Sequence, residues 1–169
     1  DDAAGLAVST KLTAQIRGTN QAARNVSDAI ALVQTADGAA KEISAIMQRM
    51  RELAVQGATE TYSTADLALM DIEYQQLESE ITRIVAQTKW NKMELLDGSG
   101  GSGGAGAFII QVGSDNAQAV TVSIGNLDIA AGSLGCLSGL DVSTQSNASS
   151  AITNIDGAFQ TLSTIRADY

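Results

Sequence analysis

The chain has 169 residues, of which 44% are hydrophobic but only 4% are aromatic, and it contains no proline. Small aliphatic residues therefore supply most of the apolar surface, which favours narrow helical seams, and the missing proline permits long uninterrupted helices. The net charge of −9 argues against a nucleic-acid or anionic-membrane partner, and the single cysteine, Cys136, excludes an internal disulfide.

The first predicted element is a helix over residues 3–57. Apolar or alanine side chains recur along it every three or four residues, which is the spacing of a coiled-coil or bundle seam. At ~1.5 Å per residue this helix is roughly 80 Å long, too long to fold around a compact core. The predicted seam residues are Val26, Ile30, Val33, Ala36, Ala40, Ile43, Met47, Met50 and Ala54.

A second helix is predicted over residues 63–89. Ser63 and Asp66 have the spacing of a capping pair at its start, and the short connection to the first helix favours an antiparallel arrangement. Its predicted seam is Leu67, Met70, Tyr74, Leu77, Ile81 and Ile84.

The rest of the chain is predicted to contain a glycine-rich loop at 98–106, a β-hairpin at 107–125, a loop at 126–146 and a third helix at 147–169. Three apolar seams can bury one another. We therefore expect a single domain over 1–169. Its fold is predicted to be mainly α, an elongated antiparallel bundle of two long N-terminal helices and one C-terminal helix. The β-hairpin is expected between helices two and three. The third seam is Ala148, Ile152, Ile155, Phe159, Leu162, Ile165 and Tyr169.

The residues that enzymes need for chemistry are scarce in this sequence. It contains no histidine, no cysteine cluster and no calcium-loop motif, and its glycine run lacks the ending of a phosphate-binding loop. We predict no enzyme and no catalytic, cofactor-binding or metal-binding residues. Cys136 is interpreted as a small, half-buried loop residue, and Trp90 as packing over a helix end.

A second stripe runs along the first helix, formed by Ile46, Arg49, Leu53 and Gln56. On a helical wheel it lies about 100° or more from the seam. Apolar residues mixed with arginine are typical of interface cores, so the stripe predicts a packing surface for a partner molecule. The alternative is a solvated helix face with two stray aliphatic residues.

Several motifs occur in one order along the chain. They are D-D-A-A-G at residues 1–5, Q-R-M-R-E-L-A-V-Q at 48–56, Q-T-K-W-N at 87–91, I-Q-V-G at 110–113 and A-I-T-N-I-D at 151–156. Together they resemble the conserved core of bacterial flagellin. The resemblance implies an extracellular structural subunit of the flagellar filament that serves motility and assembles with other flagellin subunits through the outer faces of its helices.

The resemblance also implies partners and site residues. Export chaperones and filament cap proteins are expected, and the outer stripe with Glu73 of the second helix is expected to pack between protofilaments. In an animal host the same surface implies recognition by Toll-like receptor 5, with Arg49 and Leu53 central. The family's terminal segments are expected before residue 1 and after residue 169, and the short interval after the hairpin implies no large outer domain.

Two other functions compete with a filament subunit. A cell-surface binding protein on the same core, such as a polysaccharide receptor or adhesin, would need a sugar platform, for which Tyr62, Tyr74 and Trp90 are poor material. A coiled-coil adaptor or secretion-needle component is disfavoured by the β-hairpin between the helices.

Overall fold

The computed structural model describes residues 3–104 and 106–169. Asp1 and Asp2 of the first motif, and Ala105 of the predicted glycine-rich loop, lie outside the described residues. The prediction of a mainly α antiparallel bundle with a β-hairpin between the second and third helices is confirmed. The elements are α1 (Ala3–Gly57), α2 (Thr64–Gln87), β1 (Lys89–Trp90), β2 (Met93–Glu94), β3 (Ala107–Gln111), β4 (Ala119–Ser123), a 3-10 turn (Gly135–Leu137) and α3 (Gln145–Ala167).

The core is built where α2 and α3 both pack on the C-terminal part of α1. Several of its fully buried side chains are alanines, among them Ala36 and Ala40 on α1 and Ala151 and Ala158 on α3. Small side chains let helix axes approach closely, so this seam is narrow and has little room for a larger residue. None of the helices in the described part of the chain is long and apolar enough to cross a membrane.

The seam of α1 follows the sequence prediction from Ala36 onward but departs from it upstream. Leu32 is buried there, whereas the predicted Ile30 is 53% exposed. At 100° per residue, Leu32 and Ala22 each lie about 40° from Ala36 around the helix axis, whereas Ile30 lies about 120° from it. The buried face of α1 therefore continues from Ala36 to Leu32 and Ala22 and leaves Ile30 exposed.

The start of α2 is fixed by the capping pair. The Ser63 hydroxyl accepts from the Asp66 backbone N–H, and the Asp66 carboxylate accepts from the Ser63 N–H at 3.1 Å. Ser63 is therefore the non-helical cap and α2 begins one residue later. The helix ends at Gln87 because Thr88 is extended, and the residues after it form β1 rather than a further helical turn.

The segment between the hairpin and α3, predicted as a loop over 126–146, packs closely against the bundle. Most of its large apolar side chains are buried in the common core, and it contains the 3-10 turn. The Val142 N–H donates to Asp71 Oδ1 at 2.9 Å, and Gln75 Nε2 donates to the Leu140 carbonyl at 2.9 Å, which fixes the segment to α2. The buried residues are Leu127, Ile129, Leu134, Leu137 and Val142.

The β3–β4 hairpin lies against the N-terminal half of α1. Asn25 Nδ2 donates to the Gln111 carbonyl at 3.0 Å. At the hairpin loop, a Cβ added to Gly18 would stand 2.9 Å from Ser114 Cβ, so the absence of a side chain at Gly18 allows the close approach. The hairpin thus supports α1 only as far back as Gly18.

A second, shorter hairpin joins β1 to β2 and was missed in the sequence. Its two turn residues, Asn91 and Lys92, both have positive φ, 47° and 68°. This is the requirement of a two-residue hairpin turn, but the turn lacks the glycine that normally signals it. Lys89 Nζ lies 2.7 Å from Glu94 Oε1 across the strand pair.

The alanine seam yields a stability prediction. Ala40 is 0% exposed, so Ala40→Leu should overpack the core and lower the free energy of unfolding by about 1–3 kcal/mol. Ala45, on the exposed side of the same helix, is the matched control, and Ala45→Leu should change it by less than about 0.5 kcal/mol. Urea unfolding followed by far-UV circular dichroism measures both. Equal effects of the two substitutions would contradict the close approach of the helices.

Candidate interaction surface

Arg49 is the centre of the predicted outer surface. Its guanidinium lies between α1 and α2, with Nε and Nη2 donating to Glu73 Oε1 at 2.8 and 2.7 Å and Nη1 donating to Glu52 Oε2 at 3.1 Å. These hydrogen bonds, first the one that Arg49 donates to Glu73, raise the pKa of Arg49 above its ordinary value. The structure thus brings together Arg49 and Glu73, which are 24 residues apart in sequence, and leaves both solvent-accessible.

Gln56 extends the surface toward the turn between the two helices. Its Nε2 donates to the Tyr62 hydroxyl at 3.1 Å, and both residues are exposed. Ile46, one turn before Arg49, is half-buried and packs against the core. The exposed part of the surface is therefore mainly polar, with a partly covered aliphatic margin.

Leu53 is not on the exposed surface, which corrects the sequence-based interpretation. Its side chain is only 2% exposed and belongs to the core cluster. The wheel places Leu53 about 100° from the predicted seam, which is narrower than the arc of α1 that the structure buries. In the structure α1 packs against both α2 and α3, so a wider arc of α1 is buried.

Apart from Val26 and Ile30, the predicted seam residues lie in or against the core. Among them, Val33 and Leu77 are partly buried and packed against the cluster. The buried ones include Ile43, Met47, Met50, Ile81, Ile155 and Leu162.

Two ion pairs connect α1 to α3 on the other side of the bundle. Arg51 donates to both carboxylate oxygens of Asp156, at 2.7 and 3.2 Å, and Arg166 Nε donates to Asp37 Oδ1 at 2.8 Å. Lys41 and Arg166 hold the pKa of Asp37 below its usual range, and Arg51 does the same for Asp156. Such accessible pairs add little stability, but they set the register in which α3 lies on α1.

Exposed aliphatic side chains also occur outside the predicted stripe. Leu69 and Ile72 on α2 are 67% and 56% exposed. The N-terminal part of α1 exposes four more, Leu6, Val8, Leu12 and Ile16. The sequence does indicate a second apolar face on α2. Neither Leu69 nor Ile72 fits the predicted seam of that helix, and because they are three residues apart they share one face.

Few of the described residues have the chemistry or the arrangement of a reactive or metal-binding site. Within 3–104 and 106–169, no group of three or more potential metal ligands comes together. Cys136 is exposed rather than half-buried, and its Sγ lies 3.6 Å from the Asn154 carbonyl oxygen. Trp90 is half-buried against the core. An open groove on the outer side of α1 is lined by Gln48, Arg51, Glu52, Val55, Gln56 and Tyr62.

Comparison with protein families and curated sequences identifies relatives of the chain. Residues 1–100 match the model of the bacterial flagellin N-terminal helical region. A flagellin of Halalkalibacterium halodurans is 42% identical over 163 residues, which cover 96% of this chain and 58% of that protein. The flagellar filament core protein flaB2 of Brachyspira hyodysenteriae is 38% identical over 175 residues, covering 99% of this chain and 61% of that protein. The chain thus spans about three-fifths of these relatives.

A solved structure has the same architecture. The crystal structure of Bacillus cereus flagellin superposes with a TM-score of 0.71 at 31% sequence identity, over 85% of this chain and 79% of that one. The bundle described above is therefore the fold of that protein's matching part.

The corrected position of Leu53 leads to a testable difference between neighbours on α1. Leu53→Ala should lower the free energy of unfolding by about 2–5 kcal/mol, because it leaves a cavity in the core. Val55→Ala, at a side chain 46% exposed, should change it by less than about 0.5 kcal/mol. Arg49→Ala should leave the unfolding midpoint nearly unchanged, since exposed ion pairs contribute little. If the Leu53→Ala variant were as stable as the Val55→Ala variant, the burial of Leu53 would be contradicted and Leu53 would belong to the outer surface.

Proposed function

The chain belongs to the bacterial flagellin family, and from this membership we propose that its protein is a structural subunit of the extracellular flagellar filament, serving motility. The chain forms one core domain of the family over 1–169 and associates with other flagellin subunits. The name of the Brachyspira relative, a flagellar filament core protein, supports this assignment.

One structural observation supports it most directly. The Arg49 guanidinium is held by Glu73 and Glu52 in a fixed, solvent-accessible position on a rigid pair of helices. A guanidinium group whose orientation is set before contact loses little conformational entropy on binding. This property suits a repeated protein–protein interface. The surface for subunit contacts in this proposal consists of Ile46, Arg49, Gln56 and Glu73, with Leu53 supporting it from beneath.

No enzymatic activity is part of the proposal. The relatives are structural proteins by name, and the described grooves are open surfaces lined by helix side chains. The alternative of a surface-binding protein for polysaccharides finds no support among the relatives, which are named as flagellins and filament core proteins. Export chaperones and filament cap proteins are the further partners that family membership suggests.

Filament assembly by the protein at its full natural length tests the proposal. Seeded with filament fragments, it should elongate into long filaments visible by electron microscopy and recovered by sedimentation. Arg49→Glu should slow elongation roughly tenfold, because it places a carboxylate among Glu52 and Glu73 at the contact. Lys92→Glu, with the same charge change in the turn between β1 and β2, is the control and should elongate normally. A protein that stays soluble under seeding yet binds surface glycan tightly would overturn the proposal.

We also propose that Toll-like receptor 5 of an animal host recognises this surface, with Arg49 as the central contact and Glu73 supporting it. Arg49→Ala should weaken signalling in receptor-expressing reporter cells about tenfold without loss of helicity, because the side chain lies outside the core. Lys92→Ala, in the turn between β1 and β2, should signal normally. Unchanged signalling by Arg49→Ala would contradict the receptor proposal and leave the filament proposal intact.

A further inference from the structure

Residues 134–142 connect α2 to α3 along the side of the bundle, and we call them the strap. α2 and α3 each pack mainly on α1, so the strap is a principal link between them. Leu134, Leu137 and Val142 are fully buried and anchor the strap in the core. Between these anchors Gly139 has a φ of 68°, a left-handed conformation that glycine adopts without strain.

One face of α2 holds the backbone of the strap. Besides the hydrogen bonds of Asp71 and Gln75 described above, the Glu78 carboxylate accepts a hydrogen bond from the Gly139 N–H. These three side chains, four and three residues apart, lie on the same face of the helix. An irregular segment has no helix or sheet partners for its peptide groups, and here the side chains of α2 take their place.

Tyr74 lies on this face of α2, between Asp71 and Glu78, and its side chain is fully buried. Its hydroxyl has no hydrogen-bond partner among the described residues. Burial raises the pKa of Tyr74, and the charges of Glu78, Asp71 and Asp141, together with Cys136, raise it further. The phenol therefore stays neutral and lies beside carboxylates of both α2 and the strap.

Glu78 is the carboxylate that closure of the strap disfavours most clearly. Partial burial raises its pKa, the hydrogen bond from Gly139 opposes this rise, and the charge of Asp71 adds to it. When the strap opens, Glu78 regains hydration and its ordinary pKa. The neutral carboxyl thus stabilises the closed strap below about pH 4.5, and this stabilisation is lost as the pH rises through the raised pKa.

The closed strap brings a further carboxylate, Asp141, to the Tyr74 side of α2. Hydrogen bonds from Asn147 hold the pKa of Asp141 below its usual range, so this carboxylate is charged. Arg83 of α2 and Arg51 of α1 pair with other carboxylates. Closure therefore gathers negative charge around a buried phenol, which weakens the closed state once Glu78 is ionised.

We propose that the strap is a proton-sensitive closure of the junction between α2 and α3, held by Asp71, Gln75 and Glu78 and loosened when the Glu78 carboxyl loses its proton. Opening exposes Tyr74 and frees the first turn of α3, because Asp141 of the strap also accepts hydrogen bonds from that turn. The packing of α2 on α1 does not depend on the strap. The inference therefore goes beyond the filament function and does not rest on it.

Hydrogen exchange of the monomeric full-length protein, followed by mass spectrometry of peptides from the strap, tests the closure. Glu78→Gln keeps an oxygen that can accept from the Gly139 N–H but removes the charge. At neutral pH it should therefore slow exchange of the strap at least about threefold, after correction for intrinsic rates. Lowering the pH to about 5 should protect the strap of the natural protein and leave that of the variant nearly unchanged.

Glu60→Gln is the matched control, since it makes the same charge change at an exposed residue between α1 and α2 and should leave exchange of the strap unaltered. Unchanged or faster exchange in Glu78→Gln would contradict the inference, because the charge would then hold the strap closed. An equal slowing in peptides of α1 would also contradict it, since the whole bundle and not the strap would respond. Circular dichroism should show unchanged helicity in both variants.

Discussion

The length of α1 is the constraint on which the rest of the structure depends. Its 55 residues extend for about 80 Å, whereas α2 and α3, with 24 and 23 residues, are each about 35 Å long. Two such helices can cover only the C-terminal part of α1, where the buried residues concentrate. Because of this mismatch in length, the β3–β4 hairpin covers the next stretch of α1, back to Gly18.

The same mismatch explains how far the sequence predicted the fold. Helical period, the missing proline and the Ser63–Asp66 cap were sufficient for the helices and their order, because each is a local signal. The packing of the helices on one another depends on residues that are far apart in sequence, which no local signal reports. Leu53 is buried because two helices pack on α1 at once, and Leu32 replaces Ile30 because the seam follows the true helical period. The burial of Leu53 cannot be read from the spacing of one helix, whereas that of Leu32 follows from the rotation of 100° per residue.

The segment from 126 to 144 shows a different limit of sequence reasoning. Leu127, Leu134 and Leu137 are fully buried, yet their spacing matches neither helix nor strand. Each of these side chains fills one gap at the side of the bundle, so nothing requires them to recur at a fixed period. The candidate interaction surface, too, was predicted only in part from the sequence. Arg49 and Gln56 were placed on it by their position on α1, whereas the geometry that joins Arg49 to Glu73 exists only once α2 is folded back.

The distribution of charge separates contacts within one copy from those open to a partner. The ion pairs of Arg51 with Asp156 and of Arg166 with Asp37 are satisfied within one copy, between α1 and α3. Around Arg49 the carboxylates exceed the cations, whereas residues 3–27 contain three cationic residues and no acidic one. Two copies of the surface around Arg49 would bring like charges together, so this surface favours a partner surface with surplus cations.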